Sequence, residues 1–336
     1  MRNMRQWLAG LIAGPKRYGL PIMTTPGIPL IGAAPLDVFR NGNLQYRAIK
    51  ALADATPAAA SLTMMDLSIE AEAFGAAIQF SESENPTVSA ALVHNLDEID
   101  RLAVPEVGAA RTTECLEAAR LCAEGIVDRP TLGGLIGPLS LAGRLLDMSQ
   151  TMLLMAMEPP TIHRLLEKTT AFLVEYAKAF KATGCGGLIM AEPAAGLVSP
   201  QMSQTFSADY IRRVVEAVRD DSFIFVLHNC GKTERMVDVM RSTGASALHV
   251  GNAVDICTIL EQAPADLPVM GNLDPVGVFR MSEPDAVYRA TAELLDKTRA
   301  FPNLVISSGC DIPPGTPMAN VNAFFKAIDD DNVRRT

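Results

Sequence analysis

The sequence predicts a single (β/α)8 barrel spanning residues 1–336, with an N-terminal helical and loop extension. Short apolar segments alternate with longer helical patterns along the whole chain, and no low-complexity linker interrupts them. This alternation is typical of parallel βα units. Eight main apolar segments can be counted, near residues 21, 62, 133, 188, 225, 248, 269 and 306. Eight such units favour a closed barrel, whose functional side chains lie at the C-terminal ends of the strands.

The N-terminal segment allows two interpretations. Arg2 and Arg5 precede an apolar run at 7–13, which superficially resembles a short signal peptide. The apolar run is short and Lys16 follows it closely, so an amphipathic opening helix fits the same pattern. We expect this helix to precede the first strand. A segment rich in proline and glycine then runs to Pro35, and such loops often carry function.

The remaining elements follow from apolar periodicity. The predicted helices lie at 43–56, 96–126, 139–156, 160–183, 207–219, 232–243 and 284–300. The strands between them begin with the run at 58–65 and end with the one at 303–308. A doubly wound open sheet is the alternative, but no Gly-x-Gly-x-x-Gly turn follows the first strand.

Composition limits the classes of partner and compartment. Apolar residues make up 49% of the chain and the formal net charge is −9, which argues against nucleic acid as the main partner. No apolar run reaches the roughly eighteen residues of a membrane helix, so we expect a soluble protein with no membrane partner. Six cysteines in 336 residues do not suggest a disulfide framework, which favours the reducing cytoplasm. Four of them are expected to be structural: Cys115, Cys122, Cys185 and Cys257.

Three residues at strand ends form a candidate metal site. The apolar strand at 223–227 ends at His228, and Cys230 can project to the same side because alternate residues of a strand share a face. Cys310 follows the last strand. One imidazole and two thiols are ligands that zinc prefers, and three protein ligands with one open position form a catalytic zinc site.

The alternative is that each of these residues is structural. Free cysteines are often small buried apolar residues, and a histidine at a strand end is often only hydrogen-bonded. The joint position of all three at strand ends favours the metal. A shared ion requires the Cys310 sulfur to lie within about 5 Å of the other two donors.

Further polar residues also follow predicted strands. Glu192 could be a fourth ligand or accept the proton of a thiol, or it could cap the next helix or pair with an arginine. Asp274 is a second catalytic candidate, although it and Asn272 fit better as residues that shape the barrel mouth. Asn252 is a candidate cofactor contact, like Asn272.

The imidazole of His228 needs an orienting partner. Asp66 and Glu70 are candidates for this contact, and Asp66 is also a candidate cofactor contact. His249 alternates with apolar neighbours on its strand and could face the barrel interior.

Several of these motifs resemble those of a known family. The segment His228-Asn229-Cys230-Gly231, together with residues 309–317 and Asn320, resembles the zinc motif of the methylcobamide:coenzyme M methyltransferases. Those enzymes belong to the uroporphyrinogen decarboxylase superfamily of (β/α)8 barrels. Similar landmarks occur at 65–75, 85–88, 192–194, 199–200 and 271–275, so the resemblance covers about residues 16–330.

The resemblance implies a methyltransferase. The methyl donor would be a methyl-Co(III) corrinoid, a cobalamin-type cofactor carried by a partner protein, and the acceptor a zinc-activated thiol such as coenzyme M. The Zn²⁺ ligands would be His228, Cys230 and Cys310. A metal-bound thiol is deprotonated, and this shell would leave its sulfur nucleophilic. The acceptor, the corrinoid partner and the oligomeric state remain open.

One departure concerns the decarboxylases of the superfamily. These enzymes hold a substrate with many carboxylates by an arginine-rich segment after the first strand, and here that place is taken by residues 23–27, which contain no arginine. Unpaired carboxylates are costly to desolvate, so this departure argues against the decarboxylase. Arg40, Arg47 or Arg144 could still supply the cations of a related lyase.

Three classes of function therefore stay open. The first is the methyltransferase, with a thiol acceptor or a non-thiol acceptor such as tetrahydrofolate. The second is a lyase that resembles uroporphyrinogen decarboxylase. The third is a non-catalytic scaffold that binds zinc or a corrinoid, which would have four closed protein ligands and no pocket.

Overall fold

The fold is known from a computed structural model, which describes residues 2–81 and 84–335. The strands are β1 Ser61–Leu62, β2 Ile78–Gln79, β3 Thr87–Val88, β4 Thr131–Ile136, β5 Gly187–Ala191, β6 Ile224–Asn229, β7 Ala247–Val250, β8 Val269–Leu273 and β9 Leu304–Ser308. The α-helices are α1 Met4–Gly10, α2 Pro35–Val38, α3 Gly42–Ala55, α4 Ile69–Ala73, α5 Leu96–Arg101, α6 Thr112–Gly125, α7 Pro138–Leu146, α8 Met148–Met157, α9 Pro159–Ala182, α10 Pro200–Ser203, α11 Asp209–Val218, α12 Val237–Ser242, α13 Ile256–Gln262, α14 Pro284–Lys297 and α15 Met318–Arg335.

Seven strands form one curled parallel sheet in the order β1, β4, β5, β6, β7, β8, β9. The remaining gap is filled by the segment that was predicted as the first strand. The Leu20 amide donates to the Ile306 carbonyl at 2.8 Å, and the Ala59 amide donates to the Gly19 carbonyl at 2.9 Å. This segment therefore contacts the strands on both sides of it. The predicted (β/α)8 class is confirmed.

The first predicted strand differs from the others because its pairing is irregular. A single parallel bridge joins Gly19 to Ile306. Pro21 has no amide hydrogen and cannot extend a regular ladder. The chain closes the barrel through a few hydrogen bonds instead of a full strand.

The barrel interior is apolar at its base, where the first helix covers it. One buried cluster contains Met4 and Leu8 of α1 and Leu11, which directly follows this helix. Leu20 and Val226 of the barrel belong to the same cluster. The opening segment thus forms the predicted amphipathic helix and packs as part of the fold. Within the described part of the chain, no helix is long and apolar enough to cross a bilayer.

Two predicted helices are each divided in the structure. The helix expected at 96–126 is interrupted between α5 and α6, where the sequence contains Pro105 and Gly108. The helix expected at 139–156 is interrupted at Asp147, which has a φ of +90°. The Asp147 side chain accepts hydrogen bonds from the first amides of α8, so the break is also a helix start.

The cysteines separate into two groups. All six are free, and Cys115, Cys122 and Cys185 are buried, as expected of structural residues. Cys257 is half-buried on α13. The remaining two, at 230 and 310, lie at the C-terminal ends of strands, an end of the barrel that we call the barrel mouth.

Candidate metal centre at the barrel mouth

The structure brings the three predicted soft donors together. His228 is the fifth residue of β6, Cys230 directly follows that strand, and Cys310 comes two residues after β9. Their ligand atoms all lie within 4.8 Å of one another, inside the limit that a shared ion sets. Among the described residues, they are the one group of three or more histidine, cysteine or carboxylate side chains so arranged.

Two glycines allow the loops that carry the sulfurs to approach their neighbours. A Cβ on Gly251 would lie 2.6 Å from the Cα of Cys230. A Cβ on Gly309 would lie 2.6 Å from the backbone nitrogen of Asn252. Real Cβ atoms do not approach backbone this closely, so both positions require glycine. The loops that carry Cys230 and Cys310 thus both pack closely against residues 251–252.

A buried chain of hydrogen bonds leads away from His228. Its Nδ1 lies 2.8 Å from the Nδ1 of His249, whose Nε2 lies 2.8 Å from the hydroxyl of Ser307. That hydroxyl donates to the carbonyl of Leu20 at 2.7 Å. The Nε2 of His228 is buried and has no hydrogen-bond partner among the described residues. It is the ring nitrogen available to a metal.

The two thiols interact with each other. The neighbouring Cys310 thiol stabilises the thiolate of Cys230 and lowers the pKa of Cys230. The neighbouring Cys230 thiolate, and after it burial, raises the pKa of Cys310, because its proton is shared with that thiolate. One thiolate, one shared proton and one free imidazole nitrogen fit a soft divalent ion, which would replace the shared proton.

A cleft of about 470 Å³ opens beside Cys230. Its lining includes Leu67, Ser140, Arg144, Met148, Leu197 and Cys230. Arg144 is exposed and forms no ion pair with any residue in the described ranges. It is also the one arginine among the described residues that line this cleft. Among the described residues, the cleft is thus lined by one candidate thiol ligand and one cation without an ion pair.

The other two arginines proposed for a cation cluster lie elsewhere. The Arg40 guanidinium stacks over the ring of Phe80 at 4.1 Å from its centroid. Arg47 is exposed on α3. Neither lines the cleft beside Cys230. An arginine cluster for a substrate with many carboxylates is therefore not assembled there from the described residues.

Glu192 lies at the mouth but outside the donor group. It is 1% exposed, and its carboxylate accepts from the backbone amides of Leu139 at 3.0 Å and Ser140 at 2.7 Å, and also from the Ser140 hydroxyl. Burial raises the pKa of Glu192 to about 7. These amides begin α7, so the contacts favour the helix-cap role over that of a fourth ligand.

The later polar residues of the mouth hold loops in place. The Asp274 carboxylate accepts from the amides of Val276 and Gly277, both at 2.9 Å, and so caps the following π-helical turn. The Asn272 amide donates to the carbonyls of Gly251 and Val254, both at 2.9 Å. These contacts support the mouth-shaping role.

Asn252 has a different position from Asn272. It is exposed and packs against Gly309 in the loop that carries Cys310.

The orienting contact of His228 differs from the one expected. The Asp66 carboxylate accepts from the Arg111 guanidinium and from Ser68, and Glu70 accepts from the Ile136 amide at 3.0 Å. His249 takes the place predicted for Asp66 or Glu70, because it is the register partner of His228 on the neighbouring strand.

Ser307 was missed by the sequence reasoning. The available signal was the pair of hydroxyl residues, Ser307 and Ser308, that ends an otherwise apolar strand just before Gly309 and Cys310.

Comparison with known proteins agrees with this fold. The family model described as uroporphyrinogen decarboxylase matches residues 30–330. The chain is 29% identical to a methylcobamide:CoM methyltransferase, MtbA, of Methanosarcina acetivorans over 78% of this chain and 76% of that protein. It is 23% identical to the methylated-thiol–coenzyme M methyltransferase of Methanosarcina mazei, over 82% of this chain and 74% of the other.

A solved structure shares the fold. The structure of a methyltransferase from Methanosarcina mazei superposes with a TM-score of 0.87 at 22% identity, covering 98% of this chain and 99% of the other. The two relatives support the class expected from the motifs, an enzyme of the transferase type. With a family model that matches most of its length, the chain belongs to the uroporphyrinogen decarboxylase family.

Proposed function

We propose that this protein is a zinc-dependent methyltransferase that moves a methyl group from a methyl-Co(III) corrinoid, carried by a partner protein, to a small thiol such as coenzyme M. The observation that carries the proposal is the group of three soft donors within 4.8 Å at the mouth of a barrel. The similarity to methyltransferases that are named for methylcobamide and coenzyme M supports it.

His228, Cys230 and Cys310 would hold the zinc, which would lower the pKa of a thiol bound at its fourth position. Two thiolates and a neutral imidazole cancel the charge of Zn²⁺. A shell this rich in electrons favours a nucleophilic sulfur over Lewis-acid hydrolysis. The acceptor sulfur would bond to the methyl carbon while the cobalt–carbon bond breaks, and its electron pair would remain on cobalt as Co(I).

Arg144 supports an acceptor that carries a negative charge. It is a free cation that lines the same cleft as Cys230, so it could bind the anionic end of an acceptor in that cleft. A charge-assisted bond to an anion contributes about 1.5–3 kcal/mol. Coenzyme M, with its sulfonate, has this chemistry, and neutral thiols lack it. A pterin acceptor would not use the thiol position at all.

The observations weigh against the other two classes. A lyase for a substrate with many carboxylates needs several cations, and the described lining of the cleft holds one arginine. A closed scaffold site needs four protein ligands, and the donor group in the described part of the chain has three. An open fourth position beside a cleft suits catalysis.

Metal content and methyl transfer test this proposal together. The wild-type protein should bind one zinc and transfer methyl groups from methylcobalamin to anionic thiols faster than to neutral thiols. Cys310→Ala should lose zinc affinity and activity by more than about 100-fold, beyond the range of outer contacts. Cys257→Ala, at a half-buried cysteine outside the donor group, is the matched control and should change neither. Full zinc and activity in Cys310→Ala would remove this residue from the mechanism.

A further inference from the structure

The position of one proton on His228 decides whether it can bind a metal. A neutral imidazole carries a single proton, and only the other ring nitrogen can act as a ligand. The Nδ1 of His228 contacts His249, while its Nε2 has no partner in the described part of the chain. Metal binding at Nε2 therefore requires that the proton stay on Nδ1.

The Leu20 carbonyl, at the end of this chain of contacts, fixes the direction of the hydrogen bonds. The Leu20 carbonyl can only accept, so the Ser307 hydroxyl must donate its one proton to it. The Ser307 oxygen is then an acceptor for His249, whose Nε2 must carry a proton. A neutral His249 has no proton left for Nδ1, so this nitrogen accepts from the Nδ1–H of His228.

The opposite arrangement would block the site. A charged His249 would donate from both nitrogens, and His228 would have to carry its proton on Nε2. His249 is fully buried, and its two polar contacts are a ring and a hydroxyl, neither of which is an anion. Burial of a cation without a counter-charge is costly, so the neutral form of His249 is favoured.

We propose that Ser307 and His249 are positioning residues, which fix His228 in the Nδ1–H tautomer and keep its Nε2 free for zinc. This inference rests on the proposed zinc-dependent function. The two thiolates of the site also explain why the residue that orients His228 is a neutral histidine. Metal-binding histidines often donate to a carboxylate, but a carboxylate here would add negative charge to a site with two thiolates.

The barrel fold is what assembles this chain of contacts. His228 and His249 are register partners on β6 and β7, while Ser307 lies on β9 and Leu20 on the closing segment. The hydrogen bonds cross the interior from one part of the barrel wall to another. A substitution of Ser307 should therefore weaken zinc binding, although Ser307 is not one of the three proposed ligands.

The chain offers a matched pair of variants. Ser307 and Ser308 are adjacent on β9, both are fully buried, and both hydroxyls contact the closing segment. Ser308 accepts from the Ile22 amide at 3.0 Å, and only Ser307 also contacts His249. Ser307→Ala and Ser308→Ala thus remove the same group from the same strand, with and without the contact to the histidine.

Zinc affinity, measured by competition with a chelator, is the first readout. We expect Ser307→Ala to bind Zn²⁺ roughly 10–100-fold more weakly than the wild type, the range known for outer contacts of metal ligands. Ser308→Ala should stay close to wild type. Equal affinity of the two variants would overturn the proposal.

The tautomer of His228 is the second readout and is measured in the wild-type protein. The chain has four histidines, so the nitrogen signals of metal-free wild-type protein labelled at histidine can be assigned by comparison with single substitutions of His94, His163 and His249. At about pH 8, above the usual histidine pKa, His228 should carry its proton on Nδ1. A proton on Nε2 would overturn the proposal. A protein that binds no zinc would instead overturn the proposed function, while this spectrum would still decide the tautomer.

Discussion

Two sets of polar residues share the barrel mouth, and they differ in whether their bonding capacity is filled. The carboxylate of Asp274, like that of Glu192, accepts from backbone amides, and the Asn272 amide donates to two carbonyls. In the candidate metal centre, the Nε2 of His228 is buried without a partner among the described residues, and the neighbouring Cys310 thiol lowers the pKa of Cys230. A position directly after a strand brings a residue to the mouth. A free donor atom beside other soft donors is what then makes the residue a candidate metal ligand.

Glu70 shows that a buried polar atom without a partner does not by itself indicate a metal site. Its Oε2 is buried and unpartnered like the Nε2 of His228, but it belongs to no group of possible ligands among the described residues. Burial raises the pKa of Glu70 to about 7 from 4.5. The folded state therefore holds this proton more tightly, and the stability it contributes is full below pH 4.5 and lost as pH rises through 7.

Glu70→Gln should abolish this loss, because the amide resembles the protonated acid and can still accept from the Ile136 amide. The difference amounts to at most about 3 kcal/mol, from 1.36 kcal/mol per pKa unit. Denaturant unfolding of both proteins between pH 4.5 and 8 measures it, with Glu216→Gln at an exposed position as the control. Zinc affinity should not change. Parallel pH profiles for wild type and variant would show that the buried carboxyl is not the cause.

Gly309→Ala tests the packing that brings the two sulfurs together. The new Cβ would lie 2.6 Å from the Asn252 nitrogen, so the loop that carries Cys310 must move. We expect a loss of about 1–3 kcal/mol in unfolding free energy and roughly tenfold weaker zinc binding.

Thermal unfolding and zinc titration measure both effects of this substitution. Gly14→Ala is the control, since a Cβ there meets no atom within 4 Å. Unchanged zinc binding in Gly309→Ala would mean that the Cys310 loop tolerates the shift.

Asp274→Ala should give the smallest effect. Loss of its two hydrogen bonds to the following turn should cost about 1 kcal/mol, the usual value of a cap, and leave methyl transfer unchanged. Asp255→Ala, which removes the cap of α13, should cost a similar amount of stability. A large loss of activity at unchanged stability would assign Asp274 to the chemistry after all.

The sequence was a good guide wherever a pattern was local. The interval between His228 and Cys230 places both at one strand end, and the eight apolar runs predict the closed barrel. Helix breaks were harder to predict, because a single residue such as Asp147 can end one helix and begin the next. Asp66 is an instructive error, because its acidic side chain fitted the orienting role but its partner, Arg111, is 45 residues away.

By itself, the sequence determined the fold class and the family, and it named the three donors, because these depend on periodicity and on short motifs at strand ends. The tertiary structure decided which polar groups remain unfilled. His249 and Ser307 are 58 residues apart, and Leu20 is 287 residues from Ser307. Only closure of the barrel brings these groups within hydrogen-bond distance. The donor and the acceptor of each hydrogen bond are fixed only in that arrangement.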